Sequence, residues 1–191
     1  MNIRDAIERY VPCNEQEERD KRVILNFIAT APDAFLRTNL IAHMTASAWV
    51  VNRERTKTLM VYHKIYNSWS WTGGHADGET DLAAVALREV EEETGVHSLK
   101  LISDGIFSLE VLTVDGHIKH GSYVPSHLHM NVTYLIEADE NEALKECEDE
   151  NTGVSWFTMS DALKASAEPW FVERIYSKLV SKLQQRQNTG I

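Results

Sequence analysis

Apolar positions recur every three to four residues where Glu15 to Arg22 leads into Val23, Ile24, Phe27 and Ile28, and Pro32 closes the run, so the first forty residues are expected to be helical. From Thr45 the period changes. Ala46, Ala48 and Val50, then Leu59 and Val61, sit in short β-branched and aromatic-rich runs on either side of the polar stretch Asn52 to Lys57, which predicts two antiparallel strands. Trp69 and Trp71 alternate with serine just ahead of a glycine loop at Gly73-Gly74. Helical spacing returns over Thr80 to Thr94, with Thr80 as the expected N-cap and Gly95 as the stop. Leu99 to Ile102, Ile106 to Val114 and Leu128 to Ile136 read as strands, the last two separated by a polar, histidine-bearing loop from Asp115 to Ser126. After the acidic stretch Glu137 to Glu150 comes a short strand through Val154, Trp156 and Phe157. Two closing helices follow, Ser160 to Ala167 and Trp170 to Leu183, broken at Pro169. This order predicts an α/β fold, a mixed sheet covered on both faces by helices, with an N-terminal helical extension.

Composition narrows the class of partner more than it narrows the fold. At 191 residues one domain with one sizeable core is expected. The formal charge of -10 repels a phosphate backbone or an anionic membrane, so duplex nucleic acid is not an expected partner. A phosphate substrate would need a carboxylate-held divalent cation to bring it in. Cys13 and Cys147 are too few and too far apart for a disulfide framework or a four-cysteine zinc site and read as reduced thiols. Met1 to Tyr10 carries Arg4, Asp5, Glu8 and Arg9 and lacks the apolar core of a secretory signal, and Thr38 to Asn52 is shorter than the roughly 20 apolar residues of a membrane span. A cytoplasmic protein with no membrane partner is the expectation.

The helix over Thr80 to Thr94 carries the chemistry. Glu89, Glu92 and Glu93 are spaced by three and four residues and share one face, while Ala83, Leu87, Val90 and Thr94 form the stripe expected to face the core. Like charges at these spacings cost about 0.2–0.5 kcal/mol per pair on an exposed helix, and Arg88 points elsewhere on the wheel. A cation on that face turns the repulsion into binding, and hard oxygen ligands suit Mg²⁺ or Mn²⁺ rather than zinc. Taken alone, a Glu-rich helix face in an acidic protein is usually a solvated surface.

The surrounding residues argue otherwise. Residues 73–96 read GGHADGETDLAAVALREVEEETGV. This segment resembles the Nudix box, whose pattern is Gly, five residues, Glu, seven residues, then Arg-Glu-apolar-any-Glu-Glu-any-Gly-apolar. Arg88, Glu89, Val90, Glu92, Glu93, Gly95 and Val96 each occupy the position the pattern asks for. Glu79 is displaced by one residue, although the total from Gly74 to Arg88 is normal, which reads as a one-residue slide in the loop and puts the usual contact between Glu79 and Arg88 in question. The resemblance covers 41–184, with Asp149-Glu150 and Trp156-Phe157 falling where Nudix domains have such pairs. It divides the chain into a helical extension (1–40), a Nudix hydrolase domain (41–184) and a C-terminal tail (185–191).

The resemblance implies hydrolysis of a nucleoside diphosphate linked to another moiety. It makes Glu89, Glu92 and Glu93 metal ligands, with the carbonyl of Gly74 as a further oxygen and Arg88 orienting a ligand carboxylate from behind. Glu93 and Glu150 compete for the role of general base, because family members take it either from the box helix or from a later loop. His75, beside the glycine pair, is placed to meet a phosphate. Trp71, with Trp69 and Tyr66, is a candidate for stacking a base, against the commoner role of such rings in a core. His127 and His129 alternate on a strand and share one face. They read as a two-histidine zinc site or, more often for such a pair with no third ligand near in sequence, as structural residues.

Signatures of particular subfamilies are absent. No proline or tyrosine lies where ADP-ribose and dinucleoside polyphosphate hydrolases respectively tend to carry one, Cys13 and Cys147 do not match an isopentenyl diphosphate isomerase, and there is no four-cysteine module. A general nucleotide diphosphatase is the expectation, with removal of damaged nucleoside triphosphates among its candidate roles. The alternative is a nucleotide-binding regulator that keeps the fold without turnover, whose expected mark is a broken box. The N-terminal helices are candidates for a homodimer or partner contact under either reading.

Overall fold

The computed structural model of the chain describes residues 2–102, 105–119 and 121–189. The helices are α1 (Ile3–Arg9), α2 (Glu15–Thr30), α3 (Leu82–Thr94), α4 (Met159–Ala165), α5 (Pro169–Phe171) and α6 (Ser177–Thr189), with a π-helical turn at Val172–Tyr176 between the last two. The strands are β1 (Ala42–Val51), β2 (Lys57–His63), β3 (Ser68–Ser70), β4 (Thr72–His75), β5 (Leu99–Leu101), β6 (Ser108–Val114), β7 (His117–Lys119), β8 (Ser122–Val124), β9 (His127–Ala138) and β10 (Asn151–Thr158). The main sheet runs β10-β2-β1-β9-β5, with β3 on β2, β4 on β1 and β6 on β9, while β7 and β8 form a separate hairpin. None of the helices among the described residues is long and apolar enough to cross a membrane.

Two interleaved units make up the fold. The first comprises Met1–Ser47, Gly73–Ala86 and Ser103–Tyr134. Asn2 and Asn14 cap α1 and α2 by accepting from the backbone N–H groups of Arg4 and Glu17, at 3.0 and 2.9 Å. Helix α2 packs on β6, and of its expected apolar stripe only Ile24 is fully buried while Val23 is exposed. The surprise on this helix is Glu17, which is fully buried. Its carboxylate accepts from Tyr10 Oη at 2.6 Å, from the Cys13 N–H at 2.9 Å and from Ser108 Oγ at 2.7 Å. The network continues through Ser108 to Glu110, whose other oxygen accepts from Asn131 Nδ2 at 3.0 Å and Thr133 Oγ1 at 2.8 Å. Asn131 Oδ1 in turn accepts from Thr45 and Ser47 at 2.9 and 3.0 Å. A buried polar network of this kind is stabilising only when every member is satisfied. Replacing Glu17 by alanine removes the carboxylate that accepts from Tyr10 Oη, the Cys13 amide and Ser108, and should lower unfolding free energy by about 3 kcal/mol, read as a lower urea midpoint at unchanged slope.

The second unit comprises Ala48–Thr72, Leu87–Ile102 and Leu135–Ile191. Strands β2 and β10 pair antiparallel from Thr158↔Lys57 to Asn151↔His63, with an irregularity between Asn151 and Val154. The turn from β1 to β2 is knitted by Asn52, whose Oδ1 accepts from the N–H groups of Thr56 and Lys57, both at 2.9 Å. Trp49 and Tyr176 stack with ring centroids 5.7 Å apart in the core of this unit, joined by Leu59, Met60, Leu179 and Leu183. Helix α4 packs against β10, β2 and β3.

Several expectations change locally. Gly73 and Gly74 lie in β4 and not in a loop, because a Cβ on Gly73 would come within 2.5 Å of Ser47 Oγ and 2.7 Å of the Ala46 carbonyl, so glycine lets β4 approach β1. The box helix starts at Leu82, capped by Asp81 rather than Thr80, since Asp81 Oδ1 accepts from the Ala84 N–H at 3.2 Å. Leu82, Val85, Ala86 and Val90 form its buried stripe, whereas Ala83 and Leu87 are only half-buried. The Asp115–Ser126 loop contains the β7-β8 hairpin, and of its histidines His120 lies outside the described residues. Pro169 opens α5 instead of breaking a helix, and the π-helical turn interrupts the long closing helix. Of the expected tail, 185–189 continue α6, and Gly190 and Ile191 lie outside the described residues.

Candidate active site

The last two turns of α3 and the loop before β10, both in the second unit, build an acidic site. Glu89, Glu93 and Glu150 each bring a carboxylate oxygen within 4.8 Å of the others. Glu93 is only 3% exposed, and Glu89 and Glu150 are half-buried. Glu89 and Glu93 meet because i and i+4 share a helix face. Glu150 arrives from a loop whose path is fixed at several points.

Gly95 ends α3 with φ +73° and its N–H donates to the Glu91 carbonyl at 2.9 Å. A Cβ there would come within 2.7 Å of Lys145 Cβ, so glycine allows the acidic loop to lie against the helix end, where the Lys145 N–H donates to the Thr94 carbonyl at 2.8 Å. Asn151, 1% exposed, joins the two pieces: its Nδ2 donates to the Glu93 carbonyl at 2.9 Å, and its Oδ1 accepts from the Cys147 N–H at 3.1 Å. The N–H groups of Glu150 and Asn151 both donate to the Cys147 carbonyl at 2.9 Å, and the Lys64 N–H donates to the Glu150 carbonyl at 3.2 Å. Glu148 and Asp149 point to solvent, so this turn selects Glu150 from the acidic stretch.

The donor set fits a hard divalent cation. Three carboxylates, no thiol and no imidazole are the chemistry of Mg²⁺ or Mn²⁺, and their mutual repulsion in a half-buried setting is strongest when no cation shares the space. Glu92 stands outside the three-carboxylate cluster. It is exposed and lines an open cleft of about 440 Å³ with Glu91, Gly95, His97 and Lys145, a volume within the range of small-molecule sites. Arg88 is exposed on α3. Trp71 is 9% exposed and packs edge-on against Phe171 and Tyr176, so its ring serves the core, and Trp69 packs edge-on against Tyr62 and Phe157.

The remaining expected site residues belong to the first unit. Glu79 Oε1 accepts from the N–H groups of Thr80 and Asp81 at 2.9 and 3.0 Å, which commits this displaced glutamate to the turn before α3. Gly74 and His75 lie on β4, and His75 joins His43, His127 and His129 in a cluster of imidazoles. Burial, reinforced by the three other rings, pushes the His129 pKa down to about 2, and burial likewise lowers that of His43. Sequence reasoning missed Asn151 and His43: the first is one more polar residue after an acidic run, and the second is signalled only by its place in a strand.

The chain is similar to a Xenopus laevis protein named nucleoside diphosphate-linked moiety X motif 6, with 43% identity over 51 residues, which are 26% of this chain and 24% of that protein. It is similar to the Homo sapiens protein of the same name, with 29% identity over 89 residues, 45% of this chain and 28% of that protein. The matched segments thus span about a quarter of the length of these curated relatives. Among solved structures, a Caenorhabditis elegans Ap4A hydrolase in a binary complex superposes with a TM-score of 0.55 at 16% identity, covering 76% of this chain and 98% of that one, a likeness of fold. A family model described as NUDIX domain matches residues 42–179, well over half of the sequence, and the chain belongs to the NUDIX domain family.

Proposed function

We propose that this protein is a divalent-metal-dependent hydrolase that cleaves the diphosphate linkage of a nucleoside diphosphate joined to another moiety. The observation that carries this reading is the convergence of Glu89, Glu93 and Glu150 on one point, with Asn151 bonded to both pieces of chain. Glu89 and Glu93, fixed on one helix face, would hold Mg²⁺ or Mn²⁺, and Glu92, exposed and outside their cluster, would join them through a change of rotamer. A cation bound there neutralises diphosphate charge and eases deprotonation of the attacking water. Glu150 stands on a turn rather than on the helix and takes the water's proton at a carboxylate oxygen, while Glu93 remains a ligand. Arg88 keeps the role its box position implies, a group that positions the ligand carboxylates. A domain boundary at 40/41 and a cytoplasmic setting complete the reading.

The test is release of phosphate and nucleotide from a panel of nucleoside triphosphates, nucleotide sugars, ADP-ribose and diadenosine tetraphosphate. The expected result is turnover of at least one compound that EDTA abolishes and Mg²⁺ or Mn²⁺ restores. Nucleotide binding without turnover of any compound under either metal would replace the hydrolase reading with that of a silent nucleotide-binding regulator.

A further inference from the structure

Far from the carboxylates in chemical character, four imidazoles converge within the first unit. His43 on β1, His75 on β4, and His127 and His129 on β9 each place a ring nitrogen within 4.8 Å of the others. The sheet brings them together, since β4 pairs with β1 and β1 with β9, and residues two apart on a strand point to the same face. His43 is the hub, its ring centroid 4.9 Å from His75, 4.8 Å from His127 and 5.0 Å from His129.

The hydrogen bonds on the outer side of these rings fix which nitrogens face inward. His43 Nδ1 lies 3.1 Å from the Asn39 carbonyl and therefore carries the proton and donates. That leaves His43 Nε2 with a lone pair, and this atom is fully buried with no hydrogen-bond partner. A buried polar atom left unmatched in this way is rare in native proteins and calls for a ligand. His127 repeats the arrangement, with Nδ1 2.8 Å from the Pro125 carbonyl and Nε2 turned into the cluster. Backbone carbonyls holding the far nitrogen are the usual support of metal-binding histidines. Asp77, electrostatically close to His75 and His43, is taken up by a two-pronged ion pair with Arg37 and is not a member of the set.

We propose that His43, His75, His127 and His129 form a second metal site, which binds one divalent transition ion of the zinc class through imidazole nitrogens alone. Tetrahedral zinc with Zn–N bonds of about 2.0–2.1 Å separates its ligand nitrogens by about 3.3–3.4 Å. The Nε2 atoms of His127 and His129 are already 3.2 Å apart. Without an ion this contact is a hydrogen bond donated by His129 to the His127 lone pair. Binding shifts the His129 proton from Nε2 to Nδ1 of the same ring, the neutral tautomer that ligates through Nε2, and small rotations of the other rings close the shell. Four protein ligands leave no open position, so the ion ties β1, β4 and β9 together and does not activate water. Neutral nitrogen ligands discriminate against Mg²⁺, while the carboxylate cluster favours it, so the two sites sort two classes of ion.

The experiment uses the full chain, stripped of metal and titrated with Zn²⁺ against a chromogenic chelator in excess Mg²⁺, and separately loaded with Co²⁺ for its visible spectrum. The expected result is one Zn²⁺ per chain, a rise in Tm on loading, and the intense visible bands of tetrahedral cobalt. His127→Gln combined with His129→Gln should weaken Zn²⁺ binding at least a hundredfold, whereas Glu89→Gln combined with Glu93→Gln should retain it. The wild-type cobalt spectrum stands independently of whether the histidine variant folds. Failure to bind stoichiometric Zn²⁺, an octahedral cobalt spectrum, or Zn²⁺ binding that follows the glutamates instead of the histidines would each overturn the proposal.

Discussion

Glu93→Gln should lower metal-dependent diphosphate hydrolysis by about a hundredfold or more while the protein stays folded. The substitution keeps the size of the side chain and removes one negative charge from a cluster in which three carboxylates lie within 4.8 Å. Glu93 is nearly fully buried, so a cation there is shielded from water and depends on this carboxylate more than on one at the surface. The anchor between α3 and the acidic loop runs through the Glu93 carbonyl, which the substitution leaves in place. Thermal melts without metal should therefore be unchanged or slightly higher, because repulsion has been relieved, and the gain in Tm on adding Mg²⁺ should shrink. Glu150→Gln provides the contrast: if Glu150 takes the proton, kcat stays low even at saturating Mg²⁺, while loss of one charge from the shared cluster makes the Mg²⁺-induced gain in Tm smaller. Full activity of Glu93→Gln would remove the carboxylate site from the chemistry.

The sequence made the helix face legible because helical geometry is periodic: Glu89, Glu92 and Glu93 share a face wherever α3 forms. It ranked the three equally, since spacing carries no information on burial, and only the packed chain separates the buried Glu93 from the exposed Glu92. Alternation of apolar and polar residues marked β1, β2, β6 and β9 well, because each holds a long buried hydrophobic face. It did not mark the β7-β8 hairpin, whose Ile118 and Tyr123 are exposed and whose pairing depends on backbone bonds. Nor did it mark Glu17, a charged residue at a position the pattern assigns to the surface but whose partners, Ser108 and Tyr10, arrive from elsewhere in the chain. The histidines show the same limit. His127 and His129 were visible as a pair, whereas His43 and His75 lie far from them along the chain and join them only through strand pairing.

Asn151→Ala should raise the Mg²⁺ concentration for half-maximal activity by about 10–100-fold and cost about 1–3 kcal/mol of stability. Both effects follow from one side chain. Asn151 Nδ2 satisfies the Glu93 carbonyl at the end of a helix, and Oδ1 satisfies the Cys147 amide of the turn that presents Glu150. Alanine leaves the buried Glu93 carbonyl and the half-buried Cys147 amide without this partner and lets the turn shift relative to α3, so Glu150 no longer meets Glu89 and Glu93 at a fixed distance. The cation then has to organise the site at its own expense, which weakens its binding before it affects the chemical step. Saturating Mg²⁺ should accordingly restore most of kcat, a recovery that general destabilisation does not produce. Asn151→Asp sharpens the distinction, because it retains the acceptor for Cys147 but presents an oxygen instead of a donor to the Glu93 carbonyl. It should match or exceed alanine in its Mg²⁺ requirement while keeping the turn in place. An unchanged Mg²⁺ requirement in both variants would show that Glu150 is held by the Cys147 and Lys64 backbone bonds alone and that Asn151 serves only the fold.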